Sequence, residues 1–221
     1  MLSRSTPKLS CWLAVAVAVA AAVLLSTTAQ AVAETQFQRV FVVFSQARGG
    51  DDGAIDKAAD GFEKLRRAEP TNPVVMAYAG AATTLKATTT WLPWKKMSYA
   101  EDGMAMIDKA LAMLAPVHNA VMQNGTPGAL EVRFVASTTF LAVPGFMNRG
   151  ARGAKLLAEV LTSPLLAQSP LSFQGAVWLR AAALAQAEKR PEDARKYLNE
   201  VINSKAPQAG AARAQLKALT L

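Results

Sequence analysis

The stretch Asp51–Pro70, DDGAIDKAADGFEKLRRAEP, decides the fold class of this chain. Its apolar side chains recur at intervals of three and four residues and would share one face of a helix: Ile55, Ala58, Ala59, Phe62 and Leu65. The segment Asp51-Asp52-Gly53 supplies candidate N-terminal caps, and Pro70 favours an end to the helix, since proline cannot donate the next backbone hydrogen bond. The pattern therefore predicts an amphipathic helix that buries one face against a neighbour.

This stretch forms a pair with the segment that precedes it, and the two-helix pattern then repeats along the chain. A preceding helix carries an aromatic stripe that includes Phe41 and Phe44, and it ends at Gly49-Gly50, a typical helix stop. Three further pairs and a capping helix follow, with these expected bounds: Pro73 to about Thr88 and Ser98 to about Leu114; about Pro127 to Leu141 and Ala151 to Leu161; Ser172 to Glu188 and Pro191 to Asn203; and Gln208 to Leu221. Strict alternation of apolar and polar residues is nearly absent, so the sequence predicts an all-α domain.

The N-terminus has the composition of a secretory signal. Arg4 and Lys8 precede an apolar run over residues 11–25, and small residues at 29–33 offer a cleavage site. We therefore expect residues 1–33 to be a cleavable signal peptide and residues 34–221 to be the mature domain, periplasmic or secreted; an uncleaved N-terminal membrane anchor is the alternative. The lone cysteine, Cys11, would leave with the signal, so the mature domain would contain neither a disulfide nor a thiolate.

Two of the helix pairs carry a family pattern. Ala58-x3-Phe62 is followed eight residues later by Pro70, and Trp178-x2-Ala181-Ala182 precedes Ala194-x3-Leu198. Short helix pairs with alanine at close crossings and proline after the second helix resemble tetratricopeptide repeats of an exported bacterial type. The resemblance implies a solenoid of antiparallel helical hairpins, about four pairs with a C-terminal capping helix, whose first helices line a concave groove. An unrelated helical bundle is the structural alternative.

The sequence argues against catalysis and against cofactors. One histidine, His118, and no mature cysteine leave no cluster of typical zinc ligands. No nucleophile elbow accompanies His118, and the glycines of residues 145–153 follow no strand and match no phosphate-binding fingerprint. We therefore expect no enzyme activity, no metal and no cofactor. We also expect no nucleic-acid ligand, because Lys and Arg form no run of four and an exported protein rarely meets nucleic acid.

Two irregular segments supply candidate contact residues. The insert Thr89–Met97 combines aromatic and basic side chains, which either fold back over the core or are exposed as an anchor for a partner: Trp91, Trp94, Lys95 and Lys96. The segment Val143–Arg149 is a second irregular turn, in which Phe146 and Met147 are expected in the core and Arg149 is a candidate contact. The repeat resemblance adds Arg133 and Arg180, which would project from first helices into the groove.

These features predict a binding protein of the cell envelope. Loss of the signal would lower the net charge from +8 to about +6, which favours acidic partners and permits peripheral contact with an anionic membrane. The expected function is an exported interaction module that holds a peptide or protein partner in a concave groove. The alternative is a carrier whose helices enclose a small apolar ligand or lipid.

Overall fold

The computed structural model describes residues 34–219. In this range all regular secondary structure is helical. Strand-like pairing is limited to one antiparallel bridge between Val121 and Pro127. The prediction of an all-α chain is therefore confirmed. The predicted signal peptide, residues 1–33, lies outside the described residues. Among the residues that are described, no helix combines the length and the apolar character needed to cross a bilayer.

Backbone contacts divide the chain into two compact units, Met1–Arg39 and Val40–Leu221. In the first unit the described residues 34–39 are helical, and the Gln38 side-chain amide donates a hydrogen bond of 2.7 Å to Glu34. The second unit carries the rest of the described structure.

The helices of the second unit follow one another along the chain, and the longest connection is the one between α4 and α5. They are α1 (40–48), α2 (Asp52–Ala68), α3 (Pro73–Thr89), α4 (Pro93–Ala112), α5 (Gly128–Phe140), α6 (Gly150–Thr162), α7 (Leu171–Ala187), α8 (Pro191–Asn203) and α9 (Ala209–Ala218). Single turns of 3₁₀ helix lie in the connections at Pro116–Asn119, Gln123–Gly125, Gly145–Met147 and Leu166–Gln168. The described helices thus form the predicted sequence of pairs, with α9 in the place expected for the cap.

The predicted boundaries agree closely with the structure except at α4. The Asp51 carboxylate caps α2 by accepting a 3.0 Å hydrogen bond from the Gly53 backbone N–H, as expected. By contrast, α4 begins at Pro93 and not near Ser98, so most of the predicted insert is the first turn of a helix. Proline is pre-organised for the first helical position, and the lysines and methionine that follow it are good helix formers.

Each helix packs against its neighbour in the chain, and α3 also contacts α5. The N-terminal ten residues of α3 are all buried, whereas α2, α6 and α8 each bury one stripe. In α2 this stripe is the predicted one, from Ile55 to Leu65, all of it buried. Two further clusters of buried side chains lie between α5, α6 and α7 and between α7, α8 and α9. Burial of these apolar faces is the main force that holds the helices together.

Helices α3 and α4 cross closely at two glycines. A Cβ atom placed on Gly80 would lie 2.5 Å from the Gly103 carbonyl oxygen, and one placed on Gly103 would meet both the Gly80 carbonyl oxygen and Thr84. The two backbones can therefore approach this closely only because both residues lack a side chain.

On the outer face of α2, Glu63 accepts hydrogen bonds from two arginines. The Arg66 Nε lies 2.7 Å from Glu63 Oε2, and the Arg67 Nε lies 2.9 Å from Glu63 Oε1. The hydrogen bond from Arg66, followed by that from Arg67, outweighs partial burial and lowers the pKa of Glu63 from 4.5 to about 2.

Because of this lowered pKa, a small part of the free energy of unfolding depends on pH. A carboxylate whose pKa is lower in the folded state stabilises the fold at any pH above the pKa of the unfolded state. We therefore expect the full contribution of Glu63 at pH 4.5 and above, and its loss as the pH falls to about 2. Because the pair is partly exposed and screened, the effect should stay below about 1 kcal/mol. Thermal melts of the wild type and Glu63→Gln should therefore converge towards pH 2. Glu101→Gln, which removes an exposed carboxylate that has no ion partner among the described residues, should show no such convergence.

Candidate functional site

A cavity of about 680 Å³ opens between the first helices of the pairs. Four helices contribute to it, since α1, α3, α5 and α7 all place side chains on its wall, and the start of α4 and the segment 142–147 close its sides. The cavity is the size of a typical small-ligand or short-peptide site. We call it the groove.

The walls of the groove are mainly apolar. Phe44, Ala81 and Val135 form part of its inner surface, and Met97 and Phe146 lie on the two irregular segments that flank it. Contact with a ligand would remove these apolar side chains from water, which is favourable.

Four threonines add a regular polar component to these walls: Thr84 and Thr88 on α3, and Thr138 and Thr139 on α5. Each hydroxyl donates its proton to a backbone carbonyl of its own helix, as in the 3.0 Å bond from Thr84 to Gly80. A hydroxyl that donates in this way keeps its lone pairs as acceptors. The two helices therefore present acceptors to the N–H groups of a ligand.

Two arginines contribute the positive charge of the inner wall. Arg48 comes from the last turn of α1, and Arg180 comes from the middle of α7. One Arg180 Nη donates to the Thr138 carbonyl oxygen at 3.3 Å, while its buried Nε has no hydrogen-bond partner among the described residues. Neither arginine has a carboxylate within 4 Å among residues 34–219, and no Asp or Glu lines the groove.

Two features of its surroundings disfavour the charged form of Arg180. Burial, and then the nearby positive charge of Arg48, lower the pKa of the Arg180 guanidinium from its usual value. Both causes show that the charged form is less well stabilised here than in water. The negative charge of an anion at this place would stabilise the charged form and so offset both effects.

The structure answers the question left open for the tryptophan insert. Trp91 is 82% exposed and Trp94 is 66% exposed, so neither closes the hydrophobic core. Lys95 is exposed beside them, and Lys96 reaches the groove wall together with Pro93. Phe146, expected in the core, is 67% exposed and borders the groove from the opposite segment.

The other predicted contact arginines lie in ion pairs away from the groove wall. Arg133 pairs with Glu159 of α6 at 3.3 Å, and Arg149 pairs with Asp108 of α4 at 3.0 Å. The Arg149 guanidinium also lies 5.2 Å from the centre of the Phe140 ring. These partners give both side chains a role in joining neighbouring helices, so among the predicted arginines only Arg180 reaches the groove.

A buried polar cluster fixes α3 against α5 near the groove. The Tyr78 hydroxyl donates a 2.9 Å hydrogen bond to Glu131, and the Asn124 amide donates another of 2.6 Å to the same oxygen. Burial, followed by the charge of Glu131, raises the pKa of Tyr78 well above its usual range. The cluster thus retains a neutral phenol that orients the helix carrying Thr84 and Thr88.

His118 lies in the turn that follows α4. The His118 Nδ1 accepts a 2.9 Å hydrogen bond from the Ala115 backbone N–H, which gives the ring a role in its turn. Within residues 34–219, no three side chains of His, Cys, Asp or Glu come together as metal ligands.

Arg48 and the four threonines were not identified from sequence. Arg48 is 132 positions from Arg180, and no local spacing relates two residues that meet only after four helix pairs have packed. Nothing in the sequence distinguishes the four threonines from other helical residues. Only the packing of the helices places them on one wall.

The chain shows no match to a protein-family model, and searches of curated proteins and of solved structures find no match either. The groove must therefore be interpreted from its own geometry.

Proposed function

We propose that this chain is a binding protein without catalytic activity, exported to the cell envelope, whose groove holds an extended segment of a partner protein. The observation that carries the proposal is the groove itself, an apolar channel walled by one helix from each of four successive pairs. Such a surface is suited to a ligand that spans several helices.

The helix contacts support a tetratricopeptide-like solenoid as the framework. Each helix packs on the next, α3 also packs on α5, and the Phe134 ring of α5 lies 5.3 Å from the Phe173 ring of α7. Contacts between successive first helices are the arrangement that places those helices on a common concave side. The proposed export rests on the signal-like composition of residues 1–33.

The polar residues of the groove favour a polypeptide ligand. A peptide carries a backbone N–H at nearly every residue, and these donors suit the threonine hydroxyls on α3 and α5. The exposed Trp91 and Trp94 lie beside the groove and offer large apolar contacts of the kind that dominate binding energies at protein interfaces.

A carrier of a small apolar ligand is the second candidate. The volume of about 680 Å³ and the mainly apolar wall favour it. Native mass spectrometry of the purified protein distinguishes the two, because a carrier should retain a ligand of discrete mass.

Site-specific crosslinking tests the main proposal. A photoreactive amino acid in place of Thr88, on the groove wall, should capture a reproducible partner in cells that export the protein. The same group in place of Lys196, exposed on α8 away from the groove wall, should not capture it. Equal capture from both positions, or none from Thr88, would contradict the proposal.

A further inference from the structure

The inner wall of the groove carries two positive charges. Neither Arg48 nor Arg180 has a carboxylate within 4 Å among residues 34–219, whereas Arg133 on α5 forms an ion pair with Glu159. Arg180 is the partly buried member of this pair, and a partly buried guanidinium without a counter-charge destabilises a fold. Arg48 adds a second positive charge from the exposed edge of the wall, so an anion bound between the two side chains would offset this cost.

The chemistry of the wall defines that interaction. A guanidinium is a planar fork of donors that matches a carboxylate, and the buried Arg180 Nε finds no acceptor within residues 34–219. The surrounding wall, with Phe44, Val135 and Met147, suits an apolar chain. A ligand that satisfies both parts has an anionic group at one end and an apolar body.

We propose that Arg48 and Arg180 form a subsite for a carboxylate that is carried at the end of an apolar ligand in the groove. This inference rests on the proposed function because it concerns the same groove. It adds the chemical group of the ligand that the groove selects. Two sources share this chemistry, the chain end of a peptide and a fatty acid, and they are separated by experiment.

Matched pairs of charged and uncharged probes provide the test. Isothermal titration would compare two pairs of probes. The first pair is decanoate and decanamide; the second is an N-acetylated Ala/Leu pentapeptide that has a free C-terminus and the same peptide with an amidated C-terminus. At least one acid should bind ten times or more tightly than its uncharged partner, because charge-assisted hydrogen bonds are the strong ones. Discrimination in the decanoate pair alone assigns a fatty acid, and discrimination in the peptide pair alone assigns a chain end.

Variants connect this discrimination to the two arginines. Arg180→Gln and Arg48→Gln should each bring the ratio of affinities close to one, and Arg180→Lys should retain only part of it, since an ammonium lacks the fork. Arg195→Gln, an equal change of charge on α8, should leave the ratio unchanged. Melting temperatures should not fall in Arg180→Gln, because an unbalanced charge is removed, or in Arg48→Gln, because that side chain is exposed.

Equal affinity for acid and amide in both pairs, or an undiminished preference in folded Arg180→Gln and Arg48→Gln, would overturn the subsite. Absence of binding in both pairs would overturn it as well. The groove proposal is judged separately by capture of a partner at Thr88, so either proposal can fail without the other.

Discussion

Replacing Gly103 by alanine should destabilise the protein by about 2–3 kcal/mol, even though alanine is the better helix former. A Cβ at this position meets Thr84 and lies 2.5 Å from the Gly80 carbonyl oxygen, so α3 and α4 would have to separate. Backbone atoms cannot move aside as the end of a flexible side chain can. Because domains are stable by only about 5–15 kcal/mol, the loss should be evident in a urea titration.

The matched control for this change lies in α9. A Cβ on Gly210 has no neighbouring atom within 4 Å, so Gly210→Ala should be neutral or stabilising by up to about 1 kcal/mol. The two substitutions are chemically identical and should shift the unfolding midpoint in opposite directions. Equal shifts would show that α3 and α4 do not cross at the glycines.

The double variant Trp91→Ala, Trp94→Ala should weaken partner binding by about 30-fold or more while leaving the melting temperature unchanged. Both side chains are mostly exposed, so their removal takes little buried area from the fold but removes the largest apolar contacts beside the groove. Binding of the partner captured at Thr88 would be measured by titration, and stability by thermal melting of the same samples.

The control uses exposed apolar side chains elsewhere. Val117 and Val121 are 71% and 64% exposed in the connection between α4 and α5, and they do not line the groove. Their replacement by alanine should change neither property. A fall of several degrees in the tryptophan variant, with binding retained, would assign both rings to the core and refute the contact role.

The contrast between Trp91 and Phe62 shows how far sequence reasoning reaches. Phe62 falls on a repeating apolar stripe, so its burial follows from helical spacing, and it is fully buried. Trp91 lies in the connection between two helices, where no helical periodicity predicts burial. The aromatic and basic residues around it were compatible with either the core or the surface. Only the path of α4, which starts at Pro93, decides that it is exposed.

The arginines show the same difference for the candidate site. Arg133 and Arg180 both lie on first helices and were equivalent predictions from sequence. In the fold, Arg133 lies within reach of Glu159, whereas Arg180 faces a wall with no acid and is joined there by Arg48. The partner of a side chain depends on which neighbouring helix lies within reach of it. The spacing of residues within one helix contains no information on the distance to another helix.

Local physics in the chain itself determines the helices, most of their ends and the apolar stripes, because hydrophobic spacing, caps, proline and glycine act over a few residues. Tertiary packing alone decides the close approach of α3 to α4, the exposure of the tryptophans, and the meeting of Arg48 with Arg180 on the groove wall. These depend on how four helix pairs lie against one another, which brings together residues that no local pattern relates.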